Sequence, residues 1–240
     1  MKKLPNVTLL GIDCLDVVRA QRALDISSLD IAFGAAKLLT SLPTNDVRKV
    51  AIEPLLSIDA YSEFCLTKLH QYVDTPYVLI VQHDGFVLNA DAWSDTFFQY
   101  DYLGAPIELE EWAIIKHGIP QASIGTLLVG NGGFSLRSKK LLELTAHLAT
   151  EGLLATNEPE DWAQCFTGRK LLEQHGISFA PVNTAEVFSF EGRNATNFTW
   201  QGSFGFHSLQ FTDISSWLRQ HPRYGVGITN NVSAQSFLDT

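Results

Sequence analysis

The stretch YVLIVQHDGFVLNADAW, residues 77–93, decides the fold that this sequence predicts. It opens with five consecutive apolar residues, several of them β-branched, and Gln82, His83 and Asp84 follow directly. A short continuous apolar run of this kind is typical of a parallel strand that is buried on both faces. In open α/β sheets, ligands bind beyond the carboxyl ends of the strands. We therefore expect these three polar residues to stand at a ligand site.

Asp84 allows two interpretations from its position. A carboxylate at a strand end can hold a divalent cation, and the cation can bridge to phosphate groups. The dipeptide Asp84-Gly85 is also a common turn sequence, which needs no ligand. Both interpretations stay open on this stretch alone.

Length and composition favour a single α/β domain over residues 1–240. The chain of 240 residues is long enough for one large domain or two small ones, and no linker rich in Pro, Ser or Gly divides it. Its hydrophobic fraction of 45% suits a globular core. We expect a mixed, mostly parallel central sheet flanked by helices.

Charge, cysteines and hydropathy exclude several classes of protein. A net charge of −9 argues against a nucleic-acid binder, which is usually basic. Three widely spaced cysteines indicate neither a disulfide framework nor a zinc site. No apolar run approaches the ~20 residues of a transmembrane segment, and residues 1–6, MKKLPN, do not resemble a signal peptide. We therefore expect a cytoplasmic protein.

The opening of the chain has the strand–helix–strand order of a parallel nucleotide-binding half-sheet. Asp13 directly follows the first strand, where it could contact a base or ribose or cap the helix near Leu15; both roles stay open. Hydrophobic spacing predicts further elements along the chain. The predicted strands are 7–12, about 33–39, 50–52, 77–81 and 185–191, and the predicted helices are 15–25, 62–73, 93–98, 139–149, 161–175 and 212–220.

A glycine-rich segment, VGNGGFSLR at residues 129–137, is the second strong signal. Glycines such as Gly132 and Gly133 let a ligand approach the backbone closely. The segment lacks the Gly-Lys-Ser/Thr ending of a P-loop and the spacing of a dinucleotide fingerprint. Before it, residues 107–123 show no clean period, and a loop of that length predicts a lid over a bound ligand.

Two later groups are candidates for chemistry. Glu160 and Asp161 are adjacent acids at the start of a predicted helix, where acids are favoured by the helix dipole alone. A carboxylate there could equally serve as the general base that accepts a proton from a hydroxyl. His207 could be a metal ligand beside Asp84 or a structural histidine.

Taken in order, several segments resemble one bacterial family of domains of unknown function that is considered glycosyltransferase-like, with a GT-A fold. The resemblance covers about residues 7–207. Its segments are 74–75 with 81–85, 100–106, 130–137, 159–161, 179–181, 188–191 and 204–207. The pattern is more distantly similar to the inverting β-1,4-galactosyltransferase type, and Gln82-x-Asp84 resembles the Asp-x-Asp motif of GT-A enzymes.

The resemblance implies a glycosyltransferase that moves a sugar from a nucleotide diphosphate sugar, with a UDP-sugar as the expected donor, to a glycan or other hydroxyl acceptor. Residues of about 5–90 would form its nucleotide-binding half, and residues of about 91–220 its acceptor half. Mn²⁺ or Mg²⁺ would be held by Asp84 and His207. Asp161 would be the base, and Glu160 would bind the acceptor.

By the same resemblance, Asp13, Gln82, His83, Asp84, Gly132 and Gly133 would contact the nucleotide sugar or its metal. Gln82 replaces the first acid of the motif, which weakens the charge of the metal site.

Two other functions remain open. A nucleotidyltransferase of related fold would attack the α-phosphate of a nucleoside triphosphate, but it usually carries a basic glycine-rich loop after the first strand, and here residues 13–16 are DCLD. The protein could also be a non-catalytic nucleotide-sugar-binding module. Gln82 would then stand where a catalytic metal ligand has been lost.

Overall fold

Twelve strands are defined in the computed structural model, which describes residues 1–109, 111, 115, 125–191 and 198–225. Six of them form the central sheet, in the spatial order β3-β2-β1-β4-β8-β5. The strands are β1 (Lys2–Ile12), β2 (Ile31–Thr40), β3 (Lys49–Ala51), β4 (Tyr77–Val81), β5 (Tyr102–Leu103), β6 (Pro106–Glu108), β7 (Leu127–Val129), β8 (Phe134–Ser138), β9 (Ser189–Glu191), β10 (Phe198–Thr199), β11 (Gly205–His207) and β12 (Thr212–Asp213).

The strand β4 lies at the centre of the sheet and has the predicted bounds. Leu79 and Val81 pack in the hydrophobic core on one face, and Val78 and Ile80 pack in the core on the other. All four side chains are buried. The continuous apolar run is thus explained, because neither face of this strand meets water.

The sheet is mixed and mostly parallel, as predicted. β1 pairs in parallel with β2 and with β4, and β2 pairs in parallel with β3. β8 runs antiparallel to both β4 and β5. Strands from both predicted halves of the chain therefore share one sheet, with β8 as the reversed strand.

Helices cover both faces of the sheet, which confirms the predicted α/β class. α1 packs with one core cluster, and α2 and α3 contribute to both. In the described residues the helices are α1 (Val17–Ser27), α2 (Ile58–Thr67), α3 (Lys139–Thr150), α4 (Glu160–Trp162), α5 (Arg169–Gln174), α6 (Val182–Phe188) and α7 (Ser215–Gln220). Short 3₁₀ turns occupy Leu69–Tyr72, Ala90–Ala92, Asp95–Gln99 and Pro222–Tyr224.

Local capping explains where two helices begin. The side chain of Asp16 accepts hydrogen bonds from the amides of Val18 and Arg19, so α1 begins at Val17 rather than at Leu15. Ser138 accepts a hydrogen bond from the amide of Leu141 and caps α3, whose start agrees with the helix predicted from residue 139. The prediction of Asp13 as the cap of the first helix is wrong, because Asp16 takes that role.

The strand predicted over residues 185–191 is wrong in its first part. α6 covers Val182–Phe188 and only Ser189–Glu191 is a strand. Pro181 stands at the N-cap, and the buried residues Ala185 and Phe188 have the three-residue spacing of a helix face. The helical spacing of the buried residues and the proline at the N-cap therefore favour a helix here, although the sequence pattern also suits a strand.

The helix predicted over residues 161–175 is interrupted. A π-helical turn follows α4 at Ala163–Thr167, and α5 begins only after Gly168. The helix predicted over 212–220 is also shorter, because β12 occupies its first two residues. Residues 86–89 leave the sheet instead of extending it.

Three further strand pairs flank the sheet. β9 pairs in parallel with β11, β10 with β12, and β6 pairs antiparallel with β7. The lid predicted over residues 107–123 lies mostly outside the described residues. In the described part of the chain, no helix has the length and apolar character that crossing a bilayer requires. All three cysteines are free and buried.

Candidate active site

Sheet topology brings three chain segments to one edge. Gly11 pairs with Val81, so the parallel strands β1 and β4 end side by side. Val81 also pairs with Phe134, the first residue of β8. Because β8 runs antiparallel, its start meets the end of β4. The loops after β1 and β4 and the glycines before β8 must therefore face one another.

A cleft with a cavity volume of about 460 Å³ opens at this edge. It is lined by polar groups at the sheet and by apolar side chains from residues 55–58 and from the loop after β1. Among the described residues, the lining contains eight of the predicted site residues, namely Asp13, Gln82, His83, Gly132, Gly133, Glu160, Asp161 and His207.

Asp84, the remaining predicted site residue, is not part of the described lining of the cleft. It belongs to a closed turn in which the amides and carbonyls of Gln82 and Gly85 exchange hydrogen bonds of 3.1 and 3.2 Å. Its Oδ1 lies 3.6 Å from Nε2 of the lining residue His207 and 3.7 Å from Nδ1 of His83. Within the described structure this oxygen is buried without a hydrogen-bond partner. The turn interpretation is correct, and the turn leaves the carboxylate facing an imidazole.

His207 is held from its other ring nitrogen. Oε1 of Glu191 lies 3.3 Å from Nδ1, and Nδ2 of Asn131 lies 2.9 Å from the same atom. Burial lowers the pKa of His207, but the carboxylates of Asp84 and Glu191 outweigh this and raise it to about 9. A carboxylate on one nitrogen of a histidine is the usual arrangement that orients the other nitrogen toward a metal.

Gln82 is oriented by Tyr61. Its Nε2 donates to the buried hydroxyl of Tyr61 at 3.2 Å, and its Oε1 lies 3.4 Å from Nε2 of His207. The side-chain oxygen of Gln82 therefore faces the same imidazole nitrogen as Oδ1 of Asp84 does. This oxygen is the atom of the amide that can bind a cation.

Gly132 and Gly133, the two glycines before β8, lie between the imidazole of His207 and the acid pair. A Cβ on Gly133 would overlap Nε2 of His207, and one on Gly132 would overlap Oε1 of Glu160. The amide of Gly132 also donates to Oδ2 of Asp161 at 3.1 Å. Glycine is required at both positions because side chains from two sides already occupy the space of a Cβ.

Arg137, which is fully buried in β8, contacts the first acid of the pair, Glu160. Its Nη2 donates to Oε1 of Glu160 at 2.9 Å, and its Nη1 donates to Oε1 of Gln164 at 3.0 Å. Its guanidinium also lies 5.1 Å from the ring centre of Tyr102. Buried charges of this kind are tolerated when they are paired and hydrogen-bonded. The charge of Glu160 is thus neutralised inside the protein.

Asp161 has a different environment from its neighbour. Its two oxygens accept backbone hydrogen bonds from Trp162 and Gly132. Burial and the charge of Glu160 raise the pKa of Asp161 to about 7, against the opposing effect of Arg137. A carboxyl group with a pKa near neutrality is suited to take up and release a proton.

Asp13 is engaged by its own loop. Its Oδ1 accepts hydrogen bonds from the amides of Leu15 and Asp16, and Arg19 contacts both of its oxygens. The residue lines the cleft, but its carboxylate already has protein partners. It organises the loop after β1 and fixes Arg19, a lining residue, beside the cleft.

Several site residues were not predicted from the sequence: Arg19, Tyr61, Asn131, Arg137 and Glu191. Asn131 and Arg137 belong to the glycine-rich segment 129–137, in which only glycines were predicted to contact the ligand. A charged residue in a strand whose five residues are all buried is a signal of a pairing partner. Glu191 is the last residue of β9, and Asp84 lies three residues after the end of β4, so both acids stand at strand ends.

The residues near Asp84 fit a divalent cation. A carboxylate oxygen without a hydrogen-bond partner, an imidazole nitrogen and an amide oxygen converge, and a second carboxylate orients the imidazole. Across the described residues there is no group of three or more His, Cys, Asp or Glu side chains arranged to hold a metal. A cation here would depend on Gln82 and on oxygens of a ligand to complete its coordination.

Comparisons with known proteins give a family but no activity. No curated protein matches this chain. Among solved structures, the galactosyltransferase LgtC in complex with donor and acceptor sugar analogs is similar with a TM-score of 0.46 and 14% identity, covering 93% of this chain and 95% of that one.

The protein A197 from STIV is similar with a TM-score of 0.32 and 12% identity, over 57% of this chain and 67% of that one. Likenesses of this level carry no functional argument. The model of one family, described as a protein of unknown function, matches residues 44–207, which is more than half of the chain. This chain therefore belongs to the DUF5672 family.

Proposed function

We propose that this protein is an inverting glycosyltransferase that moves a sugar from a nucleotide diphosphate sugar to a hydroxyl acceptor in the cleft beside Gly132 and Gly133. One observation carries the proposal. Gly132 and Gly133 lie between Asp161, whose pKa is near neutral, and the side chains around His207 that fit a divalent cation. Transfer from a diphosphate requires these two functions within the length of one substrate.

Asp161 acts as the general base. The acceptor hydroxyl oxygen attacks the anomeric carbon of the donor as its proton passes to Asp161. The bond from the anomeric carbon to the diphosphate oxygen breaks, and the nucleoside diphosphate leaves with the electron pair. Attack opposite the leaving group inverts the configuration of the anomeric carbon.

Asp84, His207 and Gln82 would hold Mn²⁺ or Mg²⁺, and the cation supplies charge neutralisation for the leaving diphosphate. Glu191 keeps the imidazole of His207 in position for that role. Arg19 is ion-paired with Asp13 and lines the cleft, so a phosphate would share its guanidinium with that carboxylate.

Arg137 distinguishes the two acids because it forms its ion pair with Glu160. Burial and the charge of Glu160 raise the pKa of Asp161, and the charge of Arg137 lowers it by a smaller amount. Acceptor binding by Glu160 stays a prediction, because one of its oxygens is taken by Arg137 while the residue still lines the cleft.

The test is release of nucleoside diphosphate from a panel of nucleotide sugars with Mn²⁺ and a mixture of hydroxyl acceptors. We expect Asp161→Asn to lower turnover by about 10²- to 10⁴-fold, the usual contribution of a general base, with little change in nucleotide affinity. Glu143→Gln is the matched control, because it removes an exposed carboxylate on α3 that does not line the cleft.

Two outcomes would contradict the proposal. Unchanged turnover in Asp161→Asn would remove the base from the mechanism. Pyrophosphate release from nucleoside triphosphates, without diphosphate release from any nucleotide sugar, would indicate a nucleotidyltransferase instead.

A further inference from the structure

The mouth of the cleft carries an aliphatic wall, which we define as Leu15, Leu55, Leu56 and Ile58. All four residues line the cleft. Leu15 is 48% exposed, Leu56 is 65% exposed and Ile58 is 53% exposed, so the wall faces solvent as the protein stands. A contiguous exposed apolar surface at the entrance of a polar cleft usually marks a binding site.

The wall is built on rigid structure. Leu55 is partly buried and packs against the core cluster beneath α2. Ser57, between Leu56 and Ile58, uses its hydroxyl to accept a hydrogen bond from the amide of Ala60 and so caps α2. Leu55, Leu56 and Ile58 therefore stand at a fixed helix start, where the hydroxyl of Ser57 is already engaged, and Leu15 stands in the loop that Asp13 organises.

The lining of the cleft combines two kinds of surface. Asp161 and His207 are among its hydrogen-bonding groups at the sheet edge, and the exposed side chains of the aliphatic wall line the same cleft. Its volume of about 460 Å³ is that of a site for a small molecule. A ligand that contacts both surfaces has a polar head and an apolar part.

We propose that the acceptor is an amphiphile, a hydroxyl-bearing head group with an alkyl or polyisoprenoid chain, and that its chain lies on the aliphatic wall. This inference rests on the proposed function, because it assigns the acceptor of the same site. The wall lies within residues 5–90, the predicted nucleotide-binding half, so a nucleobase is the competing occupant; it fits less well, since its hydrogen-bonding edges would be left unpaired against aliphatic carbon. An anionic membrane surface fits less well too, because the chain carries a net charge of −9.

The test uses n-alkyl β-D-glucosides with methyl, butyl, hexyl and octyl chains, kept below their micelle concentrations. The head group is constant, so the dependence on chain length isolates the wall. We expect wild-type affinity to rise by up to about fourfold per methylene, the factor for burying one such group. The double variant Leu56→Gln/Ile58→Gln should lose this rise, and circular dichroism should show that these exposed substitutions leave it folded.

Val47→Gln is the matched control, because Val47 is 99% exposed and does not line the cleft. It should keep the full dependence on chain length, as should Asp161→Asn, which separates this binding from turnover. Affinity that does not vary with chain length, or an equal loss in Val47→Gln, would overturn the inference.

The second arm measures UDP affinity in the presence of Mn²⁺. We expect the double variant to bind UDP as the wild type does. A loss of UDP affinity of tenfold or more in the double variant would assign the wall to the nucleotide and overturn the inference. Failure of Asp161→Asn to lower turnover would contradict the proposed function alone.

Discussion

The two sides of the Gly132–Gly133 pair differ in how their charges are balanced. On the acid side, Glu160 meets a fully buried arginine, Arg137, and the pair is neutral within the protein. On the imidazole side, Oδ1 of Asp84 is buried without a hydrogen-bond partner within the described structure. The acid side is complete as folded. On the imidazole side, the raised pKa of His207 means that a proton on the imidazole balances the charge of Asp84, and a cation from outside would replace that proton. This difference separates the stability of the site from its use of ligands.

Breaking the acid side should have the largest effect, and the effect should fall on folding. Arg137→Met leaves the buried Glu160 without its partner, which typically costs about 3–5 kcal/mol of unfolding free energy. The double variant Arg137→Met/Glu160→Gln should regain most of this loss, because no charge is then buried unpaired. Urea denaturation followed by circular dichroism measures both.

Lys37→Met is the control for that experiment. Lys37 pairs with Asp74, whose side chain is 64% exposed, and such pairs contribute no more than about 1 kcal/mol. A loss in Arg137→Met as small as that of Lys37→Met would mean that the acid side is not internally neutralised.

The two glycines allow the sides to be disturbed one at a time. Gly133→Ala places a methyl group on His207 and Gln82, so we expect Mn²⁺-dependent nucleotide affinity to fall by about 10- to 100-fold, as when metal ligands lose their orientation. Gly132→Ala meets Glu160 and should chiefly lower turnover. Isothermal titration calorimetry and the diphosphate-release assay distinguish the two.

Gly11→Ala serves as the control for both alanines, because a Cβ there meets Leu24 only at ordinary contact distance, 3.4 Å. If Gly132→Ala and Gly133→Ala had the same effect on nucleotide affinity, the two sides would not be separable.

The smallest effect concerns pH and again distinguishes the sides. The folded-state pKa of Asp161 is raised from its ordinary value of 3.8 to about 7, so the ionised base is lost as pH falls below 7. We expect kcat/KM to rise about tenfold per pH unit up to that point and then to level off. Glu143→Gln should show the same profile, whereas a profile that is flat from pH 6 to 8 would exclude Asp161 as the base.

The sequence predicted what depends on local pattern. The bounds of β4, the capped start of α3 and the position of polar residues at strand ends all follow from periodicity and from single capping residues. The meeting of Gln82, Gly133 and His207 could be expected only through a family resemblance, because their contacts join residues far apart in the chain.

The remaining features depend on contacts that no local pattern contains. Arg137 finds Glu160 across 23 residues, and its burial follows from that pairing and not from its neighbours. Residues 182–188 form a helix because Pro181 starts it and the packing of Ala185 and Phe188 stabilises it, although their pattern also suits a strand. The reversal of β8, which brings the glycines to the site, is a property of the whole sheet.

Thermal unfolding with nucleotide sugars, in the presence and absence of Mn²⁺, tests most directly whether the imidazole side takes up a cation together with a diphosphate. At a ligand concentration about 100 times its dissociation constant, binding adds about 2.7 kcal/mol to the unfolding free energy. We predict a rise in Tm that requires both Mn²⁺ and a nucleotide sugar and that is abolished in Asp84→Asn. No rise with any nucleotide sugar, or an equal rise in Asp84→Asn, would contradict the account.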